Sequence, residues 1–193
     1  MTNILVLDTE TGGLSPVTDA LLTVHARLVD PVFFHTIDQI DLLVHPQNRL
    51  VHAGALVVNK IQIEFHKLIA DTPEVSGEKL KRFFDVCQRH GDFIIVGHYI
   101  DFDLNFCDQI LPGTRNKYGR KTVDTRSLST FVRTQNLVQS ESASLQHMRA
   151  GLNIQLEDSE AHTSSGDVDV TLELYKIFAE KMTTGFQIQG DLQ

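Results

Sequence analysis

Short apolar runs that end at polar residues limit the architectures open to this chain more than any other feature. Asn3–Leu7 ends at Asp8 and is followed by the breaker pair Gly12-Gly13, and Phe93–Gly97 leads directly into His98. Short apolar runs bounded by a turn are typical of buried strands. Each run therefore predicts an internal strand with polar residues at its end.

Strands and helices alternate along the rest of the chain. Further strands are predicted at residues 21–29, 39–44 and 122–123. Apolar residues at helical spacing predict helices over residues 73–90, 101–111, 125–136, 142–150 and 166–182, with loops at 46–52 and 155–165. Strands that come first and then alternate with helices predict an α/β fold, in which one mixed sheet is covered by helices.

Polar residues mark where several of these helices begin. Thr72 precedes Pro73, which suits an N-cap followed by the first helical residue. Asp124 follows a predicted strand, and we expect it to cap the helix that comes next. Asp101 is a candidate cap for the helix at 101–111.

Length and composition are those of a single soluble domain. The 193 residues are 41% hydrophobic and 22% charged, and no apolar run is long enough to cross a membrane. The first residues lack the basic and apolar regions of a signal peptide, so we expect a cytoplasmic protein. Cys87 and Cys107 lie in apolar helical patterns, which predicts buried thiols in a reducing compartment.

The net charge of −8 argues against binding of nucleic acid by simple phosphate neutralisation, which usually needs a basic surface. Carboxylates clustered on metal ions would invert the charge locally. Residues 115–121 form a small basic patch, for which a solvated loop and guidance of a nucleic-acid backbone are the two interpretations. The scattered histidines lack metal-ligand spacing, and we expect most to be exposed or half-buried: His25, His35, His45, His52 and His66.

Acidic residues stand where a predicted strand ends or a predicted helix begins. Asp8 and Glu10 are two residues apart and share one face if the first strand continues through Glu10. Two hard oxygen donors on one face suit Mg²⁺ or Mn²⁺, but a polar turn with two solvated acids fits this segment equally well. Asp103 also fits the first turn of a helix, and Ser164 with Asp167 has the spacing of a capping box.

Taken together, three segments form a recognisable pattern. D-x-E ends the first strand, G-H-x-x-x-F-D follows the strand at 93–97, and H-x-x-x-x-D opens the last helix. Their residue types, order and context resemble the three motifs of the DnaQ-like, or DEDDh, family of 3′–5′ exonucleases. That family includes the proofreading epsilon subunit of bacterial DNA polymerase III, ribonuclease T and oligoribonuclease. The resemblance runs from Asp8 to about Met182.

The resemblance implies a ribonuclease-H-like fold, with a five-stranded mixed sheet flanked by helices. It implies an exonuclease domain over residues 1–185 and a short tail over 186–193. The implied reaction is hydrolysis of phosphodiester bonds at the 3′ end of single-stranded nucleic acid, DNA more than RNA, with release of nucleoside 5′-monophosphates. Two divalent cations, Mg²⁺ or Mn²⁺, are the implied cofactors.

The resemblance also assigns roles to single residues. Asp8, Glu10 and Asp167 look like direct metal ligands. Asp103 looks like a ligand that acts mainly through water, and His162 looks like the general base. Leu14 resembles the apolar wedge against the last bases. The full set of residues implied to bind substrate is Thr9, Thr11, Leu14, His98 and Phe102.

Several alternatives stay open. Tyr99 stands where the family often has asparagine, and Asp101 adds an acid beside the site, so substrate contacts can differ from the family's. The alternatives are an exoribonuclease of the ribonuclease T or oligoribonuclease type, a non-catalytic nucleic-acid-binding module, and an endonuclease of the wider fold. A homodimer is also open, whereas the short stretch after the last helix does not indicate association with a polymerase.

Overall fold

A five-stranded mixed sheet forms the centre of the computed structural model, which describes residues 1–155 and 163–184. The strands are β1 (Asn3–Thr11), β2 (Leu21–Val29), β3 (Thr36–Leu43), β4 (Phe93–Gly97) and β5 (Thr122–Asp124). Their order across the sheet is β3-β2-β1-β4-β5. β1 pairs antiparallel with β2 and parallel with β4. The predicted α/β class and mixed sheet are therefore confirmed.

Helices cover both faces of this sheet. In the described part of the chain they are α1 (Ala53–Asn59), α2 (Ile63–Ile69), α3 (Pro73–Arg89), α4 (Ile100–Cys107), α5 (Thr114–Lys117), α6 (Thr125–Thr134), α7 (Leu145–Gly151) and α8 (Ser164–Thr184). None of these helices combines the length and the apolar character needed to cross a bilayer.

Alternation of side chains along β1 separates two layers of the core. Leu5 and Leu7 belong to a cluster built with α3 and α4 on one face of the sheet. Ile4 and Val6 belong to a second cluster with α8 on the other face. Since side chains two apart on a strand share a face, the next even-numbered residues of β1 also point to the α8 side. Burial on both faces explains why β1 begins as an uninterrupted apolar run.

Three short helices escape prediction from the sequence: α1, α2 and α5. α1 and α2 have seven residues each, and neither has a side-chain cap at its N-terminus. Several of their apolar residues point outwards; Val57 is 79% exposed and Leu68 is 81% exposed. Without a single buried apolar stripe, the usual helical periodicity is missing from this stretch. α5 has only four residues and overlaps the start of the basic patch at 115–121.

The starts of the helices were predicted only in part. The side chain of Thr72 accepts a hydrogen bond from the backbone N–H of Val75, and that of Asp124 caps α6, both as predicted. Asp101 does not cap α4; Tyr99, in the left-handed region at φ 77°, holds that position. The capping box is also wrong, because the hydroxyl of Thr163 accepts the bond from the N–H of Gly166.

Two histidines are more deeply buried than the sequence indicates. His25 is 1% exposed and His66 is 5% exposed. The Nε2 of His66 hydrogen-bonds to the carbonyl oxygen of Val44 at 3.0 Å, which explains how a polar ring is accommodated in the core. Cys87 and Cys107 are buried free thiols, as predicted.

Candidate active site

Three carboxylates meet beside the end of β1. Asp8, Glu10 and Asp167 each offer an oxygen atom, and these atoms all lie within 4.8 Å of one another. β1 continues through Glu10 to Thr11, so the alternation of the strand places Asp8 and Glu10 on the α8 face. Asp167 lies in the first turn of α8, where its backbone N–H donates to the carbonyl oxygen of Thr163 at 2.9 Å. A strand and a helix distant in sequence thus build one acidic cluster.

The electrostatics of this cluster favour a bound cation. Burial, followed by the charges of Asp103, Asp167 and Glu10, raises the pKa of Asp8 well above its ordinary value. Burial and the charges of Asp167 and Asp103 raise the pKa of Glu10 from 4.5 to about 8. Closely spaced hard oxygen donors whose mutual repulsion a cation would relieve are suited to Mg²⁺ or Mn²⁺. The three side chains therefore fit the metal site that the sequence pattern implies.

Asp103 sits beside this cluster on α4 and is 3% exposed. Its Oδ1 accepts hydrogen bonds from the backbone N–H of Thr9 at 3.0 Å and from the hydroxyl of Thr9 at 2.7 Å. Burial raises the pKa of Asp103 to about 7, although the bonds from Thr9 act in the opposite direction. Asp103 lies outside the group of three, and its role as a ligand stays a prediction. The polar groups of Thr9 face Asp103.

A cleft of about 560 Å³ opens next to Glu10. Its walls come from the end of β1, the turn after it and α1: Glu10, Thr11, Gly13, Leu14, Asp19, His52, Gly54, Ala55, Val58 and Asn59. Leu14 is 83% exposed at the edge of this cleft. A Cβ atom on Gly13 would lie 2.2 Å from the Oδ2 of Asp19, so any other residue at this position would displace that side chain. Of the predicted substrate-binding residues, Thr11 and Leu14 line the cleft.

The wall supplied by α1 was missed from the sequence. Asn59 donates from Nδ2 to the carbonyl oxygen of Thr11 at 3.2 Å, which connects α1 to the end of β1. His52 reaches Asp19 with its Nε2 3.3 Å from Oδ1. The sequence does not predict this wall, because α1 is short and lacks the apolar periodicity of a buried helix.

His98 and Phe102 lie away from the lining of the cleft. The ring nitrogens of His98 hydrogen-bond to the hydroxyl of Thr125 at 3.0 Å and to the carbonyl oxygen of Ala143 at 2.9 Å. Burial lowers the pKa of His98 to about 4, so its ring is neutral near pH 7. The ring of Phe102 stands 4.8 Å from that of Phe106, centroid to centroid. His98 thus connects the end of β4 to α6, whereas this ring contact of Phe102 lies within α4. The contacts of both residues to substrate stay a prediction.

His162 lies outside the described residues. It precedes Asp167 by five positions in the sequence. Its assignment as the general base stays a prediction.

Comparisons with known proteins identify the family and the fold of this chain. The RNase_T family model, described as "Exonuclease", matches residues 5–175. No curated protein matches the chain by sequence. The structure of E. coli exonuclease I in complex with a dT13 oligonucleotide is similar at a TM-score of 0.79 and 17% identity, over 95% of this chain and 42% of that chain.

Two further structures of exonuclease I are similar to the same extent. The zinc-bound form of the E. coli exonuclease I–ssDNA complex has a TM-score of 0.79 and 18% identity, over 96% of this chain and 42% of that chain. A product-bound structure of exonuclease I has a TM-score of 0.78 and 18% identity, over 96% and 45%. This chain therefore spans less than half the length of these proteins, and at this identity the likeness shows the fold.

The raised pKa of Glu10 has a measurable consequence in the metal-free protein. The folded state keeps a proton that the unfolded chain releases between pH 4.5 and about 8, so this carboxyl lowers the free energy of unfolding as the pH rises through that range. We expect Glu10→Gln to be more stable than the wild type at pH 8 by on the order of 2 kcal/mol, with little difference at pH 4.5. Urea unfolding in the presence of a chelator measures this difference.

Glu180→Gln is the matched control, because Glu180 is exposed on the same helix that carries Asp167. It should leave the pH dependence unchanged. A difference between wild type and Glu10→Gln that is constant from pH 4.5 to 8 would contradict the raised pKa.

Proposed function

Because the chain belongs to the exonuclease family whose model matches residues 5–175, we propose that it removes nucleotides from the 3′ end of single-stranded nucleic acid. The reaction is hydrolysis of phosphodiester bonds with release of nucleoside 5′-monophosphates, on DNA in preference to RNA. The observation that carries this proposal is the cluster of Asp8, Glu10 and Asp167, whose oxygen atoms lie within 4.8 Å of one another.

Two divalent cations, Mg²⁺ or Mn²⁺, are the proposed cofactors. Asp8, Glu10 and Asp167 would bind these cations. Asp103, which is buried and accepts hydrogen bonds from Thr9, would support the site from its position next to them. Bound cations supply a nucleophile near neutral pH and stabilise negative charge on the attacking and leaving oxygens. The carboxylates of this chain would fix the positions of the cations, and so the place where the negative charge of the reaction is balanced. His162 would accept the proton from the attacking water, which requires that its ring be neutral.

The cleft beside Glu10 is the proposed site of the terminal nucleotide. Its position supports this assignment, since Glu10 belongs both to the cleft lining and to the acidic cluster. Leu14 would pack against the last base, because its side chain is exposed and apolar at the rim of the cleft. Thr11 and Val58 add further walls around the nucleotide.

The preference for DNA has support from the similar structures. E. coli exonuclease I is described with a dT13 oligonucleotide and with ssDNA. We further propose that residues 1–185 form the catalytic domain. The last described helix, α8, ends at Thr184 and packs against β1 and β2, so it belongs to the same layer structure as the site.

Matched oligonucleotides test the proposed reaction. Single-stranded DNA and RNA of one sequence, labelled at the 5′ end, are incubated with Mn²⁺ or Mg²⁺, and products are resolved over time. We expect stepwise shortening from the 3′ end with release of 5′-mononucleotides, faster on DNA, and a loss of at least about a hundredfold in rate for Asp8→Asn. Internal fragments alone, or no mononucleotide with either metal, would contradict the proposal.

His162→Ala separates metal binding from proton transfer. We expect this variant to bind Mn²⁺ as the wild type does, while kcat falls by about 10²–10⁴-fold because general-base assistance is lost. His90→Ala, an exposed histidine at the end of α3, is the control. Full turnover by His162→Ala would show that another group accepts the proton.

Leu14→Ala tests the assignment of the cleft. We expect KM for a single-stranded oligonucleotide to rise by about five- to tenfold with little change in kcat, because apolar contact with the terminal base is lost. Val17→Ala is a close match, since Val17 is 82% exposed but does not line the cleft. Equal KM values for the two variants would place the terminal base elsewhere.

A further inference from the structure

Two residues of β2 contact α8 on either side of Asp167. The hydroxyl of Thr23 donates to the Oγ of Ser164 at 3.0 Å and accepts from the backbone N–H of Glu10 at 3.2 Å. Arg27 forms an ion pair with Asp169 through its Nη1. These contacts bracket Asp167, because one reaches the first residue of α8 and the other a residue just beyond it in sequence.

The register of the sheet explains why these contacts converge on the acidic cluster. Across the antiparallel β1–β2 pair, Glu10 stands opposite Thr23 and Asp8 stands opposite His25. Residues at 23, 25 and 27 alternate with buried apolar neighbours and share the face that α8 covers. Arg27 therefore lies on the same face of the sheet as Asp8 and Glu10.

A series of polar contacts from β3 and β2 orients the side chain of Arg27. His25 pairs with Asp41 of β3 through Nδ1, and its Nε2 lies 3.5 Å from the Nη2 of Arg27. Because a guanidinium only donates, this contact requires the Nε2 of His25 as acceptor and leaves Nδ1–H to donate to Asp41. The side chain of Arg27 is 17% exposed, and that of Asp169 is 39% exposed. The contacts run from the edge strand β3 through β2 to α8.

This arrangement opposes a specific force. A carboxylate oxygen of Asp167 lies within 4.8 Å of oxygens of Asp8 and Glu10, so repulsion between their charged forms favours movement of α8 away from β1. The planar guanidinium of Arg27 has a fixed fork of N–H donors. It can therefore contact Asp169 on α8 and His25 on β2 at the same time.

We propose that Arg27 is a positioning residue for the metal site. Its ion pair with Asp169, together with the Thr23–Ser164 bond, holds the beginning of α8 against β2, so that Asp167 remains within reach of a cation shared with Asp8 and Glu10. The proposal rests on the proposed function, because it assumes that these carboxylates bind divalent cations.

The sign of the effect distinguishes positioning from simple electrostatics. Arg27→Met removes a positive charge from the neighbourhood of a cation site, and by charge alone the cation should then bind more tightly. If Arg27 positions Asp167, the cation should bind more weakly. The two mechanisms therefore predict opposite changes in the same measurement.

Titration calorimetry with Mn²⁺ makes this measurement without reference to activity. We expect Arg27→Met to bind Mn²⁺ about tenfold more weakly than the wild type, in the range found when residues that orient metal ligands are replaced. Arg82→Met is the control, since Arg82 also pairs with a carboxylate, that of Glu78, but on the exposed face of α3. In nuclease assays the Mn²⁺ concentration for half-maximal rate should rise to the same extent, with KM for the oligonucleotide unchanged at saturating Mn²⁺.

A double variant tests whether the pair acts as a unit. In a double-mutant cycle, the loss of Mn²⁺ affinity in Arg27→Met combined with Asp169→Met should be smaller than the sum of the losses in the two single variants, because both remove the same contact. A variant that merely destabilises the fold would lower the thermal midpoint equally with and without Mn²⁺; we expect a larger loss with Mn²⁺.

Wild-type or tighter Mn²⁺ affinity in Arg27→Met would overturn the positioning role. If Arg27→Met does not fold, Arg27→Lys carries the test: lysine keeps the charge without the fork, so Mn²⁺ should bind several-fold more weakly. Unchanged affinity in Arg27→Lys would overturn the role equally. A wild-type protein that binds no Mn²⁺ would instead contradict the proposed function.

Discussion

Repulsion among the carboxylates at the end of β1 is the constraint on which the rest of the site depends. Asp8, Glu10 and Asp167 are held close enough to share a cation, and burial makes the charged forms of Asp8 and Glu10 still less favourable. A fold that keeps such groups together must restrain both the strand and the helix that carry them. The buried clusters on the two faces of β1 provide this restraint for the strand.

The restraint on the helices is more specific. Thr9 donates two hydrogen bonds to Asp103 and so fastens the start of α4 to β1. On the opposite face, Thr23 and Arg27 fasten the start of α8 to β2. Polar contacts from β1 and β2 thus lie on either side of the acidic cluster. The apolar clusters on the two faces of the sheet bury the rest of these strands and helices. The cleft of about 560 Å³ opens directly beside this cluster, because Glu10 lines it.

The parts of this site that depend on local rules are predictable from the sequence. The spacing of Asp8 and Glu10 places them on one face because strand side chains alternate, and the structure confirms that β1 continues through Glu10. Val58 and Asn59 were missed because α1 is short and exposes apolar residues. The contact of Arg27 with Asp169 joins positions 142 residues apart and leaves no local pattern to read. Contacts of this kind become visible only when the chain is folded.

The most direct measurement is the location of Mn²⁺ by anomalous scattering from a crystal of this chain. If the carboxylate cluster is the catalytic metal site, anomalous peaks should lie within coordination distance of the carboxylate oxygens of Asp8, Glu10 and Asp167. A crystal that contains bound Mn²⁺ only elsewhere, with no peak among these three side chains at saturating Mn²⁺, would contradict it.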